Sequence, residues 1–243
     1  SNSYFSNSEL AAQGKPSPEE LALLEPLKDQ LDPAVFGEVV QPPTTTGPEG
    51  LRGNLRQAVE LLRQGGWTLG RDRILVNADG KRFEVEMLLN SPAFERVMAP
   101  FVANLEKLGI RVNYRTVDAA LYQRRQDSFD FDMVVGVFGQ SQSPGNEQRD
   151  MWHSQSADIQ GSRNIMGLKH PAVDALVEKI IYAENRNALV TACHALDRVL
   201  LAGHYLIPNW HLNYHRIAYW KQFDRPETLP LYYTPQGWLL SWW

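Results

Sequence analysis

Between Lys81 and Val137 the hydrophobic period changes from two residues to about 3.6 and back, and few folds accommodate that order of signals. Phe83, Val85, Met87 and Leu89 alternate with Glu84 and Glu86, the pattern of a half-buried strand. From Phe94 the apolar positions recur at three and four, through Val97, Met98, Phe101, Leu105 and Leu108. This predicts an amphipathic helix that Gly109 can end. Ile110, Val112 and Tyr114 restore alternation, a short helix follows, and a third strand is expected over about 131–137. Strand, helix and strand joined this closely form a right-handed βαβ unit with parallel strands. The core is therefore α/β.

Outside that unit the signals are local. Ser17-Pro18-Glu19-Glu20 reads as an N-cap, a proline at the first helical position and two first-turn acids, predicting a helix through about Leu24. Residues 41–50 carry three prolines and two glycines and must be a loop. The hydrophobics before it (Val35, Phe36, Val39, Val40) look too few for a separate core, so a surface connection within one lobe is expected. Leu55 to Trp67 reads as a helix, and Asn77-Ala78-Asp79-Gly80 as a hairpin turn. A short helix is expected around Asp150-Met151-Trp152, then a flexible stretch from Ser154 to Arg163. Two clear helices follow, one carrying Val173, Leu176, Val177, Ile180 and Ile181, the other running from Leu189 to Leu201.

Composition narrows the function classes. Of the chain, 43% is hydrophobic and 21% charged, with a formal charge of −4, a balance that argues against a nucleic-acid footprint. The longest apolar runs, such as Met133 to Phe138, fall far short of the ~20 residues of a membrane helix. The single cysteine, Cys193, excludes an internal disulfide framework and lies on the apolar face of a predicted helix, where it reads as a small core residue.

Catalytic constellations are not supported. His211 and His215 are four apart, but Trp210 to Tyr219 leans towards strand, where four residues span ~13 Å, and no acid completes a metal motif. Asp130 and Asp132 alternate with Phe129, Phe131 and Met133, so a cap or salt-bridge role is expected of them. There is no GxSxG elbow, Walker loop or GxGxxG fingerprint, and no cofactor is called for. The first candidate site is the polar loop Gly139 to Gly145 at the carboxy end of the third strand, where ligands of parallel α/β sheets tend to sit.

Several segments together carry a family resemblance: Gly65-Gly66-Trp67, the Asn77–Gly80 turn, Lys107-Leu108-Gly109-Ile110-Arg111-Val112, Val117-Asp118 and Phe129-Asp130-Phe131-Asp132-Met133. Ser143-Pro144-Gly145-Asn146-Glu147-Gln148-Arg149 and His170-Pro171-Ala172-Val173-Asp174-Ala175-Leu176 complete the set. In this order they resemble bacterial extracellular solute-binding proteins of the peptide/nickel class, family 5, and within it the YejA-like oligopeptide and microcin C branch. The resemblance covers most of residues 16–220 and implies the distal lobe of a type II periplasmic binding protein, an α/β fold with a central mixed sheet and flanking helices. Residues 1–205 would form that lobe, and 206–243 a return segment and aromatic-rich tail belonging to a first lobe outside this chain. It further implies a carboxy-terminal fragment, with a signal peptide in the missing part; Ser1-Asn2 reads separately as a protease scar from a tag and is set aside.

The same resemblance implies capture of oligopeptide-like solutes in an inter-lobe cleft, a periplasmic location, and an ABC permease with its ATPase as partners. The candidate ligand contacts are Gly139, Gln140, Ser141, Gln142, Ser143, Arg163, Asn164 and Trp210. Where oligopeptide receptors of the family place an aspartate for the peptide ammonium, four residues before a proline, this chain has Gln140. A glycan- or opine-like solute on the same fold, or a protein-interaction role for the aromatic tail (Trp220, Trp238, Trp242, Trp243, Tyr232, Tyr233), are the alternatives.

Overall fold

In the computed structural model the chain runs α1 (Pro18–Leu24), α2 (Gly50–Gln64), β1 (Thr68–Leu69), β2 (Leu75–Val76), β3 (Glu84–Leu89), α3 (Pro92–Lys107) and β4 (Arg111–Thr116). It continues through α4 (Ala119–Asp127), β5 (Met133–Val134), α5 (Glu147–Trp152), α6 (Pro171–Ile181) and α7 (Arg186–Ala202), with 3-10 turns at Glu25–Gln30, Pro33–Phe36 and Ser154–Ser156. The structure describes residues 1–6, 8–211, 216–224, 226–228, 238–240 and 242. Two compact units emerge. One comprises 1–40, 140–148 and 171–243, the other 41–139 and 149–170.

The second unit holds the βαβ core that the alternating periods predict. β3 pairs in parallel with β4 from Glu84 opposite Arg111 to Leu89 opposite Thr116, and in parallel with β5 at Met87–Met133 and Leu88–Val134. The strand order is β4-β3-β5. Among the described residues the central sheet is thus wholly parallel rather than mixed, and antiparallel pairing is confined to a separate two-stranded sheet, β1–β2, and the Val76–Arg82 bridge, which flanks the turn closed by Gly80 N–H on Asn77 O at 3.0 Å. The hairpin is tied to the end of α3, because Leu75 N donates to Gly109 O at 2.8 Å. Gly109 is required there. Its φ is +87°, and a Cβ would stand 2.9 Å from Leu69 Cδ1 and 3.1 Å from Arg73 O. The apolar stripe of α3 (Met98 and Val102) packs with Met87, Leu89, Ile110 and Val112, and Phe94, Phe101, Leu105 and Trp67 close the edges.

The third strand is shorter than the 131–137 expected. Asp132 Oδ2 accepts the backbone N–H of Glu86 at 2.8 Å, so a carboxylate occupies the ladder position and strand pairing starts only at Met133. Asp130 binds Arg125 Nε at 2.8 Å, the salt-bridge role expected of this pair.

The first unit is helical. α1, α6 and the Pro33–Phe36 turn pack on α7, burying Phe5, Leu10, Leu24, Val35, Leu176, Ile180, Leu196 and Leu200. Ser17 caps α1 by accepting Glu20 N, and Asn185 caps α7 by accepting Ala188 N. A charged cluster is built into this core. Arg198 Nε donates to Glu20 Oε2 at 2.5 Å with both side chains almost inaccessible, and His194 Nδ1 lies 3.2 Å from Glu20 Oε1. Burial alone would push the Glu20 carboxyl up, yet the hydrogen bonds and charges of His194 and Arg198 hold it below its ordinary value. The hydrogen bond to Glu20 raises His194. Asp197, wholly buried, is raised by desolvation even though Ser3 Oγ and the N–H groups of Tyr4 and Ala12 all donate to it.

Two expectations are corrected here. The proline-rich segment at 41–50 begins where the two compact units part, between Val40 and Gln41. Val35 and Val39 do enter a core of their own, completed by α6 and α7 from more than a hundred residues away. Residues 154–163 are not a loose stretch either. Ser156 Oγ donates to His153 O at 2.7 Å and Ser162 Oγ to Ser156 O at 2.8 Å, and both serines are buried.

Candidate functional site

The candidate residues divide between the two units and are described within each. In the first unit, Gln140 to Ser143 form an irregular stretch before α5. Ser141, Gln142 and Ser143 are exposed, and Ser143 N–H donates to Ser141 Oγ at 3.2 Å. Gln140 is oriented from behind. Gln148, wholly buried, donates from Nε2 to Gln140 Oε1 at 2.7 Å. Glu147 opens α5 and turns back, its Oε1 accepting Gly145 N–H at 2.9 Å and Gln148 Nε2 at 3.2 Å. The acid nearest the polar stretch is thus spent on closing its own turn, as a first-turn helix acid readily is. The chemistry presented here is that of neutral amides and hydroxyls.

Two further features of this unit concern the site. Arg186, which is not among the candidates above, donates from Nη1 to the carbonyl of Gln142 at 2.5 Å. A signal for it exists in the sequence, since a cation at the first position of a helix faces the unfavourable end of the dipole and needs another reason to be there. Trp210 is 59% exposed. Tyr219, Trp238 and Trp242 instead pack edge-to-face on one another, with ring centroids 4.7 and 4.9 Å apart. His215, Tyr214, Tyr232, Tyr233 and Trp243 lie outside the described residues.

In the second unit Gly139 is exposed, with open space where a side chain would stand. Val137, two residues before it, is 88% exposed although it lies within an apolar run, a feature hidden by the expectation of a longer strand. Phe138 turns inward and stacks on the fully buried Trp152, centroids 5.2 Å apart. Arg163 is exposed and has no ion-pair partner among the described residues. Its neighbour Asn164 differs. It is wholly buried, donating to His153 O at 3.2 Å and Leu168 O at 2.9 Å and accepting Leu168 N–H at 2.8 Å. Such an amide shapes the loop that presents Arg163 and has little left to offer a ligand.

Among the described residues no cluster of three histidine, cysteine or acidic side chains is placed to hold a metal, and no helix is long and apolar enough to cross a membrane. Cys193 is buried, and desolvation pushes its thiol up to about 12, which suits packing and suppresses thiolate reactivity.

The chain belongs to the bacterial extracellular solute-binding proteins of family 5, whose middle region is matched by residues 7–159. It is 46% identical over 99% of its length to a probable peptide-binding protein YejA of Agrobacterium fabrum, and spans 39% of that relative. It is 35% identical over 94% of its length to a peptidoglycan-binding protein YepA of the same organism, spanning 37% of it. Among solved structures, the oligopeptide-binding protein AppA of Bacillus subtilis, in complex with a nonapeptide, superposes with a TM-score of 0.56 at 20% identity, over 77% of this chain and 38% of that one. The fold is that of type II periplasmic binding proteins.

Proposed function

We propose that this chain is part of the substrate-binding component of an ABC importer that captures oligopeptide-like solutes for uptake, the captured state being the one its permease and ATPase recognise. The observation that carries this reading is the alignment of 99% of this chain, at 46% identity, with 39% of a probable peptide-binding relative, within a solute-binding family rather than an enzyme family. A periplasmic location follows from the same family. Residues 1–205 are assigned to the distal lobe of the longer protein and 206–243 to the segment returning from it.

Within the first unit the proposed ligand contacts are Gln140, Ser141, Gln142, Ser143 and Trp210; within the second they are Gly139 and Arg163, with Asn164 setting the turn. No covalent chemistry is involved. The solute shifts a closing equilibrium only by binding the closed state more tightly than the open one.

The ligand's amino end is the discriminating feature. Gln140 supplies an amide oxygen already engaged by Gln148, and the Glu147 carboxylate is held by Gly145 N–H. Neither gives an ammonium a dedicated charge. Binding is therefore less dependent on a free amine than a carboxylate-bearing site would make it. The test is calorimetry on the longer protein with free and amino-terminally acetylated forms of one bound peptide. Acetylation should cost well under the ~1.5–3 kcal/mol of a charged hydrogen bond. A loss of that size, abolished by Glu147→Gln, would show that Glu147 holds the ammonium after all.

A further inference from the structure

Four side chains of helix α7, Arg186, His194, Asp197 and Arg198, reach residues 3–14. Arg186 donates from Nε and Nη2 to Glu9 Oε1 at 2.8 and 2.5 Å. His194 Nε2 lies 2.7 Å from Glu9 O. Asp197 accepts Ser3 Oγ, Tyr4 N and Ala12 N at 2.7, 2.9 and 3.0 Å. Arg198 donates to Gln13 O at 2.7 Å and Gly14 O at 3.0 Å. The opening stretch of the chain is thereby strapped along α7.

Arg186 differs from the other three because its fork is divided. While Nε and Nη2 hold Glu9, Nη1 holds the Gln142 carbonyl at 2.5 Å. One planar, rigid group joins the strap to the polar stretch, a task that the point charge of a lysine cannot reproduce. Standing at the first position of α7, it works against the helix dipole, and these two acceptors are what hold it there.

We propose that Arg186 is a positioning residue of the ligand loop, fixing Gln140–Ser143 relative to residues 3–14 so that engagement of the loop and movement of the strap are energetically coupled. This rests on the ligand role proposed for that loop. A carboxylate on the strap then influences a loop that it does not touch, because the guanidinium it orients also carries the Gln142 carbonyl. Ligand binding would tighten the strap and strap loosening would weaken binding, by the same factor.

The test is residue-resolved amide hydrogen exchange, which needs no ligand. In Glu9→Gln and in Arg186→Lys the Ser143 and Gly145 amides should exchange about twofold to fivefold faster, the range for a partly exposed ion pair, while Leu196 and Val199 amides in α7 keep their rates. The double variant should exceed neither single by much, since both break one link. Asp29→Asn, an exposed carboxylate outside the network, should change nothing. Loop amides at the wild-type rate in Glu9→Gln, or an equal rise in the Asp29→Asn control, would overturn the coupling. Addition of a mixture of tripeptides to pentapeptides to the longer protein tests the underlying reading separately. Slowed loop amides support it; unchanged loop amides refute the ligand role and leave the measured link without a binding function.

Discussion

Glu20 is the carboxylate on which the first unit's polar core depends, and Glu20→Gln is its most informative perturbation. The variant keeps the shape and one acceptor oxygen but removes the charge that Arg198 Nε approaches at 2.5 Å, with the two side chains 1% and 7% exposed. Breaking one partner of a buried ion pair costs about 3–5 kcal/mol, because the other charge stays buried. Arg198 retains the carbonyls of Gln13 and Gly14, so the low end, about 3 kcal/mol, is expected. Against a total stability of about 5–15 kcal/mol this is a large fraction.

Exchange of the α7 amides reads the loss in the first unit alone. Its pH dependence carries the mechanism. Glu20 is held below its ordinary 4.5, so its contribution is present above that value and is lost as pH falls through the lowered folded pKa. His194 is raised above 6.5, so its share is complete below that value and is lost as pH rises through the raised folded pKa. The difference between wild type and variant should peak between about pH 4.5 and 6.5. It should fall on both sides, and less on the alkaline side, where Arg198 keeps its charge. A cost under about 1 kcal/mol, or a difference flat from below that range to above it, would refute the reasoning.

Three shorter predictions follow from local geometry. Asn164→Ala strands the Leu168 N–H and two carbonyls, and should cost about 1–3 kcal/mol, read as accelerated exchange at Leu168. Gly109→Ala should lose about 1–2 kcal/mol in urea unfolding, from the left-handed φ and the approach to Arg73 O, whereas Gly139→Ala, with open space, should stay within about 0.5 kcal/mol of wild type. Cys193 should resist a thiol reagent at pH 8 in the folded chain and react at once in denaturant; rapid labelling of the native protein would contradict its burial.

The strands β3 and β4 and the helix α3 between them are legible in the sequence because each buries one face and so displays its period. β5 is legible in kind but not in length, since nothing in the pattern says that Asp132 will take the Glu86 N–H in place of a strand backbone. The division into two units is hidden for a related reason. Counting hydrophobics near Val35 and Val39 cannot reveal that their core is finished by α6 and α7. Serines 156 and 162 mislead because hydroxyl-rich stretches look solvated, whereas here the hydroxyls face inward onto carbonyls. The position of 140–143 and of Arg163 outside helices and strands is readable from their composition. Asn164 reads as a contact, although a small amide can equally be a loop's internal brace. The role of Arg186 is hard to read because its partners, Glu9 and Gln142, are far away in sequence.

The central claim, that a peptide-like solute is held through the Gln140–Ser143 stretch, is tested most directly by mass spectrometry of the longer protein purified under native conditions. The wild type should release small molecules with peptide-type fragmentation on denaturation. A variant carrying Gln140→Ala and Ser143→Ala, with unchanged α7 exchange, should release markedly less. A wild-type protein that carries no such molecule and takes up none from a peptide mixture, or a variant that retains its full complement, would contradict the claim.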